Sequence, residues 1–315
     1  MFSYRDANQS FAEFTASEGL QTTDVSTVAV DREGTIWVGA TDGFLHRYHP
    51  SSRTWDYFSD IFDKHEPQQG INRLKVFGDT LMILSDIGVS VFSIPRMEFG
   101  DSYKRFGAGA LALAGNATDL AVFHGMIWVS TRAGIASTPL TNPNPSAPES
   151  WQVYTTAQGL PMNTVLRLEI AFDTLFAATP SGVAALRGSA WGAVAGTSGL
   201  NVLDLSSNRQ PCADCSNLYF ISDAGLLVYD GTSPARAVAG GFQSGPTSMA
   251  GNLLVGTGSG ILFFDQSFAA RLITPPGPPS DKFVGLAVDR RGVVWSGTGT
   301  NNGDGFMSFD GARWR

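Results

Sequence analysis

Seven times along the chain a strand-like run ends in a small, mostly polar residue and is followed three positions later by a glycine. The copies are Trp37 to Gly43, Met82 to Gly88, Trp128 to Gly134, Phe176 to Gly182, Tyr219 to Gly225, Leu254 to Gly260 and, with a longer loop, Trp295 to Gly305. The closing glycines lie 45, 46, 48, 43, 35 and 45 residues apart. A period in that range over strand-forming sequence is the pattern of the blades of a β-propeller.

The columns repeat as well as the spacing. Trp37, Met82, Trp128, Phe176, Tyr219, Leu254 and Trp295 share one column, and Ile36, Leu81, Ile127, Leu175, Leu218, Leu253 and Val294 share the one before it. Consecutive apolar positions describe a strand covered on both faces, as a strand between neighbouring blades is. Turn formers precede each such strand, at Gly34, Asp79, Gly125, Asp173, Ser216, Gly251 and Gly292. Before the turn an inner strand recurs, at Val28-Ala29-Val30, Leu74-Lys75-Val76, Leu120-Ala121-Val122, Leu168-Glu169-Ile170 and Leu286-Ala287-Val288, while blades five and six fit this column poorly. Aromatics open an outer strand at Trp55 to Phe58 and Trp151 to Tyr154, with a looser copy at Trp191.

The reading is all-β: one seven-bladed β-propeller of four-stranded blades over residues 1–315, with blades near 21–60, 68–107, 115–156, 159–195, 199–240, 243–275 and 280–315. Seven units of about 44 residues account for nearly the whole chain as a single domain. Phe11-Ala12-Glu13-Phe14-Thr15 with Gly19-Leu20 copies Trp151-Gln152-Val153-Tyr154-Thr155 with Gly159-Leu160. Residues 1–20 are therefore expected to supply the outer strand that closes the last blade and removes its open edge. Trp37, Trp128 and Trp295 are expected to be buried equivalents.

A net charge of −7, with no cluster of four or more basic residues, argues against a nucleic-acid partner, whose phosphates need Lys and Arg. No run of 18 apolar residues exists, so direct membrane insertion is not expected. Met1-Phe2-Ser3-Tyr4-Arg5 lacks the apolar core of a signal peptide. With no leader in the sequence shown, the protein is either cytoplasmic or exported with its leader removed.

Asp31-Arg32-Glu33-Gly34-Thr35-Ile36-Trp37-Val38-Gly39-Ala40-Thr41-Asp42-Gly43 resembles the two-component regulator propeller repeat. Asp289 to Thr298 is similar to it, and Gly159-Leu160-Pro161-Met162-Asn163-Thr164-Val165 resembles the segment that opens the repeat in that family. The match is good in blades one and seven, partial in three and four, and thin in two, five and six. Gly88-Val89-Ser90-Val91-Phe92 with Met97-Glu98-Phe99 and Tyr103 is similar to segments of bacterial cell-surface propellers of the type IX (Por) secretion system. These resemblances imply an extracytoplasmic location, on the cell surface or in the periplasm, and a recognition, sensor-like or scaffold role. In the first family such blades are joined to a membrane helix and a histidine kinase, neither of which is in this sequence.

Few residues are arranged for chemistry. Cys212-Ala213-Asp214-Cys215 supplies half of the ligands that a zinc site needs, and no other cysteine completes it, so a local disulfide or two free thiols is the simpler reading. His46 and His49 are three apart on a strand and point to opposite faces. Gly256-Thr257-Gly258-Ser259-Gly260 reads as a tight hairpin in the repeat register, and Asn301 to Gly305 as a solvated loop with oxygen donors that calcium could use. Lys75 and Glu169 replace alanine in the inner-strand column, close to the central channel, where a charge needs a partner or water.

The loops after the buried strands share one face of a propeller. They carry Thr41, Asp42, Asp86, Arg132, Ser181, Asp223, Ser259 and Asn301, Asn302 and Asp304. This mixed, weakly acidic rim suits recognition of a protein or a glycan better than bond making. The expectation is a non-enzymatic recognition or scaffold module with no cofactor and no metal, and with membership of a larger complex open. The alternatives are an accessory subunit of a cell-envelope assembly, and a propeller-type lyase or lactonase working in the central channel.

Overall fold

The computed structural model of the chain describes residues 2–5, 10–109, 112–207, 217–240, 246–250, 254–257, 260–265, 267–274, 285–297 and 306–309. They divide into two units, one spanning Phe14–Leu272 and one combining Phe2–Glu13 with Ile273–Arg315. Regular structure among the described residues is β-strand joined by short 3-10 turns.

Six four-stranded antiparallel sheets follow one another, each with its strands in chain order. Blade 1 is Val25–Val30, Ile36–Ala40, Leu45–His49 and Thr54–Phe58, and blade 2 is Ile71–Phe77, Thr80–Ser85, Gly88–Ser93 and Glu98–Tyr103. Blade 3 is Ala117–Phe123, Met126–Thr131, Gly134–Pro139 and Gln152–Tyr154, and blade 4 is Arg167–Ala171, Thr174–Thr179, Gly182–Arg187 and Ala190–Ala193. Blade 5 is Val202–Ser207, Leu218–Ser222, Gly225–Tyr229 and Arg236–Ala239, and blade 6 is Pro246–Ala250, Leu254–Thr257, Gly260–Phe264 and Ala270–Ile273. The first strands of blades 1 to 6 pack side by side in succession.

The repeat has a physical cause in each of its columns. The small polar residue caps its own hairpin: the hydroxyls of Ser85, Thr131, Thr179, Ser222 and Thr257 donate to the carbonyls of Gly88, Gly134, Gly182, Gly225 and Gly260, at 2.8–3.4 Å. The glycine is needed for close approach as well as for its dihedral. At Gly88, with φ +134°, a Cβ would lie 2.3 Å from the Tyr103 carbonyl oxygen. The large column faces the inner strand in one constant register: Ala29–Trp37, Lys75–Met82, Ala121–Trp128, Glu169–Phe176, Ser206–Tyr219, Ala250–Leu254 and Ala287–Trp295. Blades five and six, poor in sequence, obey it too.

The turn aspartates hold the tryptophan that follows. Asp31 accepts the N–H groups of Glu33 and Thr35 through one oxygen and the Trp37 indole through the other, at 3.0, 2.8 and 3.0 Å. Asp289 repeats this with Arg291, Val293 and Trp295 at 2.8, 3.1 and 3.3 Å. Partial burial works to raise the Asp31 carboxyl, yet these donors hold it below its usual range.

Neighbouring blades are joined by packing and by stitches. One core cluster spans blades 3 and 4, with Trp128, Tyr154, Leu168, Leu175, Ala177 and Trp191 all buried. Burying each large side chain contributes roughly 1.5–3 kcal/mol. The first strand of blades 1, 2 and 3 bulges near its start, beside Ser26, Asn72 and Thr118. These side chains donate to the first strand or entering segment of the next blade: Ser26 to the Ile71 carbonyl, Asn72 to that of Ala117 at 3.0 Å, and Thr118 to that of Val165 at 2.7 Å.

Three expectations are corrected. Six blades are four-stranded, not seven. The last sheet, Gly285–Val288, Val294–Gly297 and Phe306–Phe309, has three strands. Ser10–Glu13, expected as its fourth strand, instead pairs with Phe2–Arg5 in a hairpin that runs from Phe2 opposite Glu13 to Arg5 opposite Ser10. Closing so short a loop costs less entropy than pairing the two ends of the chain. Trp295, expected to be buried, is 39% exposed, whereas Trp37 and Trp128 are 0% and 5%. In blades 1 and 3 the fourth strand brings Phe58 and Tyr154 against the tryptophan, at 6.2 and 5.3 Å between centroids. The last sheet has no fourth strand among the described residues to do this. Phe14, the sequence counterpart of Tyr154, is buried against Tyr48 and Trp55 of blade 1, at 5.1 and 5.7 Å.

Candidate recognition face and charged channel

Thr41, Asp86 and Arg132 occupy the same place, two residues before the closing glycine, in the hairpins of blades 1, 2 and 3, and Asp42 follows Thr41. The link from blade 1 to blade 2 brings a further wall. It makes a 3-10 turn over Phe62–Lys64, reverses at His65 with φ 52°, and is clamped by Gln69. The Gln69 amide donates to the carbonyls of Asp42 and Phe62, at 3.1 and 2.9 Å, and accepts the Glu66 N–H at 3.0 Å. Together these segments enclose a depression of about 410 Å³, lined by Thr41, Asp42, Glu66, Gln69, Asp86 and Arg132 among others.

Three carboxylates and one guanidinium face this space. Asp86 accepts the Asn72 amide at 3.0 Å and is thereby tied to the blade 2 to blade 3 stitch. Thr41 donates to the Asp24 carboxylate at 2.8 Å. Arg132 is exposed, and its guanidinium has no hydrogen-bond or ion-pair partner among the described residues. Four of the rim residues expected from sequence, Thr41, Asp42, Asp86 and Arg132, thus converge. Ser181 and Asp223 sit at the equivalent hairpins of blades 4 and 5 and do not line this depression. Asn301, Asn302, Asp304, Ser259, Cys212 and Cys215 lie outside the described residues.

Lys75 and Glu169, on the first strands of blades 2 and 4, belong to a larger charged network. Lys75 Nζ lies 3.1 Å and Arg73 Nε 3.9 Å from Asp119 Oδ1, and Arg167 Nε lies 3.3 Å from Asp204 Oδ1. Glu169 accepts the Ser207 backbone N–H at 3.2 Å and also its hydroxyl. Asp119 is fully buried and accepts the N–H groups of Leu120 and Leu168, at 2.8 and 3.0 Å. Burial alone would raise its carboxyl, but Lys75, Arg73, Arg167 and the Leu168 N–H hold it below the usual range. Burial opposes the Arg73 charge as well, and Asp119, Asp204 and Glu169 nevertheless keep its guanidinium above its ordinary value. The charges pair across blades 2 and 3 and across blades 4 and 5, while Arg167 Nε, buried beside Asp204, makes no hydrogen bond.

Sequence reasoning found Lys75 and Glu169 and missed Arg73, Asp119, Arg167 and Asp204. The signal was one step away: the residue before the recurring apolar position reads Thr27, Arg73, Asp119, Arg167 and Asp204, alternating in sign over four blades. The histidines do not gather. His46 is buried, accepting the Gln21 N–H at 3.1 Å, while His49 pairs with Asp56 and His124 with Asp173 on the surface.

No protein-family model matches the chain, and no curated protein does. Solved structures do. PorZ, an essential bacterial surface component of the type-IX secretion system of Porphyromonas gingivalis, superposes with a TM-score of 0.70 at 15% identity, over 99% of this chain and 42% of PorZ. The extracellular domain of the two-component system BT4673 from B. thetaiotaomicron gives 0.65 at 17% identity, over 89% of this chain and 38% of that one. The corresponding domain of BT3049 gives 0.65 at 15%, over 96% and 42%. The chain therefore spans about two fifths of the length of these proteins. At such identities the likeness is one of fold, and the fold of this chain is the β-propeller that PorZ and the extracellular domains of those two-component systems share.

Proposed function

We propose that the chain is a non-enzymatic recognition module of the bacterial cell envelope that binds a protein or a glycan through the loop face of blades 1 to 3. The observation that carries this reading is the depression in which Asp42, Asp86 and Arg132, from three separate blades, converge with Glu66 and Gln69. Each blade supplies a rigid two-strand mount and a short loop, the arrangement in which recognition groups collect. Arg132 offers an unengaged planar fork of donors, and the carboxylates and amides around it offer acceptors for hydroxyl, amide or ammonium groups.

An extracytoplasmic location is supported by the fold it shares with a surface component and with extracellular domains of two-component systems. No helix among the described residues is long and apolar enough to cross a membrane. Against a channel-based lyase stands the state of the first-strand charges, in which the carboxylates of Asp119, Asp204 and Glu169 are all engaged by neighbours.

The test compares the wild-type chain with an Arg132→Glu, Asp42→Lys double variant, each immobilised and exposed to envelope glycans and to solubilised surface proteins. Retention by the wild type and its loss in the variant, at equal thermal stability, supports the reading. Equal retention by both moves recognition to another surface.

A further inference from the structure

A second cavity, of about 240 Å³, lies between the blade 1 to blade 2 link and the outer half of blade 2. Its make-up differs from that of the depression described above. Lys64, from the 3-10 turn, and Lys104, just past the end of the outermost strand, both line it. The whole chain has four lysines, so half of them meet at one small cavity. Neither has an ion-pair partner among the described residues, although Asp60 lines the same space. Lys75, in contrast, is paired with Asp119.

The rest of the wall is of two kinds. Ile61, Val89 and Phe99 give it an apolar side, with Val89 buried and Phe99 packed edge-on against Phe92 at 5.1 Å. Ser90 and Ser102 give it hydroxyls 3.3 Å apart. That pairing is set by a bulge in the outer strand, where Gly100 and Asp101 stand opposite Val91 and the register resumes at Ser102 opposite Ser90. Bulges of this kind re-aim side chains beside binding sites.

Lys64 and Lys104 line this partly apolar cavity as exposed side chains with no ion-pair partner among the described residues, so an anion seated beside them gains charge-assisted hydrogen bonds. The volume is below the roughly 300–1,000 Å³ of sites for drug-sized ligands. We propose that this cavity binds a small amphipathic carboxylate, with the carboxylate held by Lys64 and Lys104, the serine hydroxyls beside it, and a compact apolar body against Ile61, Val89 and Phe99. The site is distinct from the blade 1 to 3 depression and does not depend on it.

Titration of the full chain with N-acetyl-leucine, followed by amide chemical shifts, tests this. Saturable shifts confined to residues around Lys64 and Lys104 are expected. N-acetyl-leucinamide, of the same shape without the charge, should bind at least tenfold more weakly, as should N-acetyl-leucine to Lys64→Gln and Lys104→Gln. Arg96→Gln, outside the cavity, should leave the affinity unchanged. Equal binding of the amide would overturn the role of the lysines. Equal binding of inorganic sulfate would overturn that of the apolar wall, and tighter binding of glucuronate would replace the apolar body with a sugar ring. Because Asp42 and Arg132 do not line this cavity, an Asp42→Lys, Arg132→Glu chain should bind N-acetyl-leucine as the wild type does, which separates failure here from failure of the recognition face.

Discussion

Replacing Asp119 by asparagine keeps the shape of the side chain and removes only its charge. In the native protein that carboxylate is fully buried, 3.1 Å from Lys75 Nζ, and accepts two backbone N–H groups, from its own blade and from blade 4. The amide of asparagine has one acceptor where the carboxylate has two, so its NH₂ group must face either Lys75 or the Leu168 N–H. Removing one partner of a buried ion pair costs about 3–5 kcal/mol. For a domain of this size each kcal/mol lowers Tm by about 2–4 °C, so the variant should melt roughly 6–20 °C lower. Lys75→Met should cost less, because Arg73 remains 3.9 Å from the carboxylate. The pH dependence supplies a second check. Asp119 is held below its ordinary value of 3.8, so its stabilisation is complete above that pH and is lost as pH falls through the lower folded value. Urea unfolding of both proteins from pH 7 to pH 3 should show a constant gap that narrows only below about pH 4. A gap under about 1 kcal/mol at pH 7, or one already closed at pH 5, would refute the ion-pair argument.

Phe14→Ala should destabilise the larger unit by about 3–5 kcal/mol in chemical denaturation, since it uncovers Tyr48 and Trp55. Gly39→Ala should cost about 1–3 kcal/mol or more by overpacking, because the new Cβ would lie 2.5 Å from Ile71 Cγ2. Burial holds the His46 imidazole below its usual 6.5 although Asp42 pulls the other way, and its Nε2 accepts the Gln21 N–H. Protons therefore bind the unfolded chain first, and stability should fall as pH drops below about 6.5, a slope that His46→Gln should flatten. Arg132→Glu should leave Tm within the small shift of a surface substitution, about 0.5 kcal/mol, while abolishing retention of the partner.

The blades were legible because each repeat column answers to a backbone need: a hydroxyl for the hairpin carbonyl, a glycine where Tyr103 approaches, an aspartate for the turn and its tryptophan. The end of the chain was not, because Phe11 to Thr15 copies the pattern of an outer strand whichever strand it pairs with. Alternation of side chains is blind to the partner, and the partner proved to be Phe2–Arg5. On the loop face of blades 1 to 3 the sequence named Asp42, Asp86 and Arg132 from their loop positions, but Glu66 and Gln69 belong to an irregular link with no period to betray them. The first-strand charges escaped for the opposite reason. They are periodic, but Arg73, Asp119 and Asp204 each lie beside a bulge, which displaces them from the alternation that a regular strand would show.

The bulged positions also give the assembly a direction. Ser26, Asn72 and Thr118 each donate forward, to a carbonyl of the blade that comes next in the chain. During synthesis every one of these donors emerges before its acceptor and waits for it, so a nascent blade stays incompletely satisfied until its successor has folded. A circular permutant opened between blades 2 and 3 would sever the covalent link but could keep the Asn72 stitch. Excision of blade 2 would present Ser26 with the Ala117 carbonyl, which holds the place in its strand that Ile71 holds in blade 2. The three stitches thus run between equivalent positions, a repeated clasp that fastens each blade to whichever one follows it.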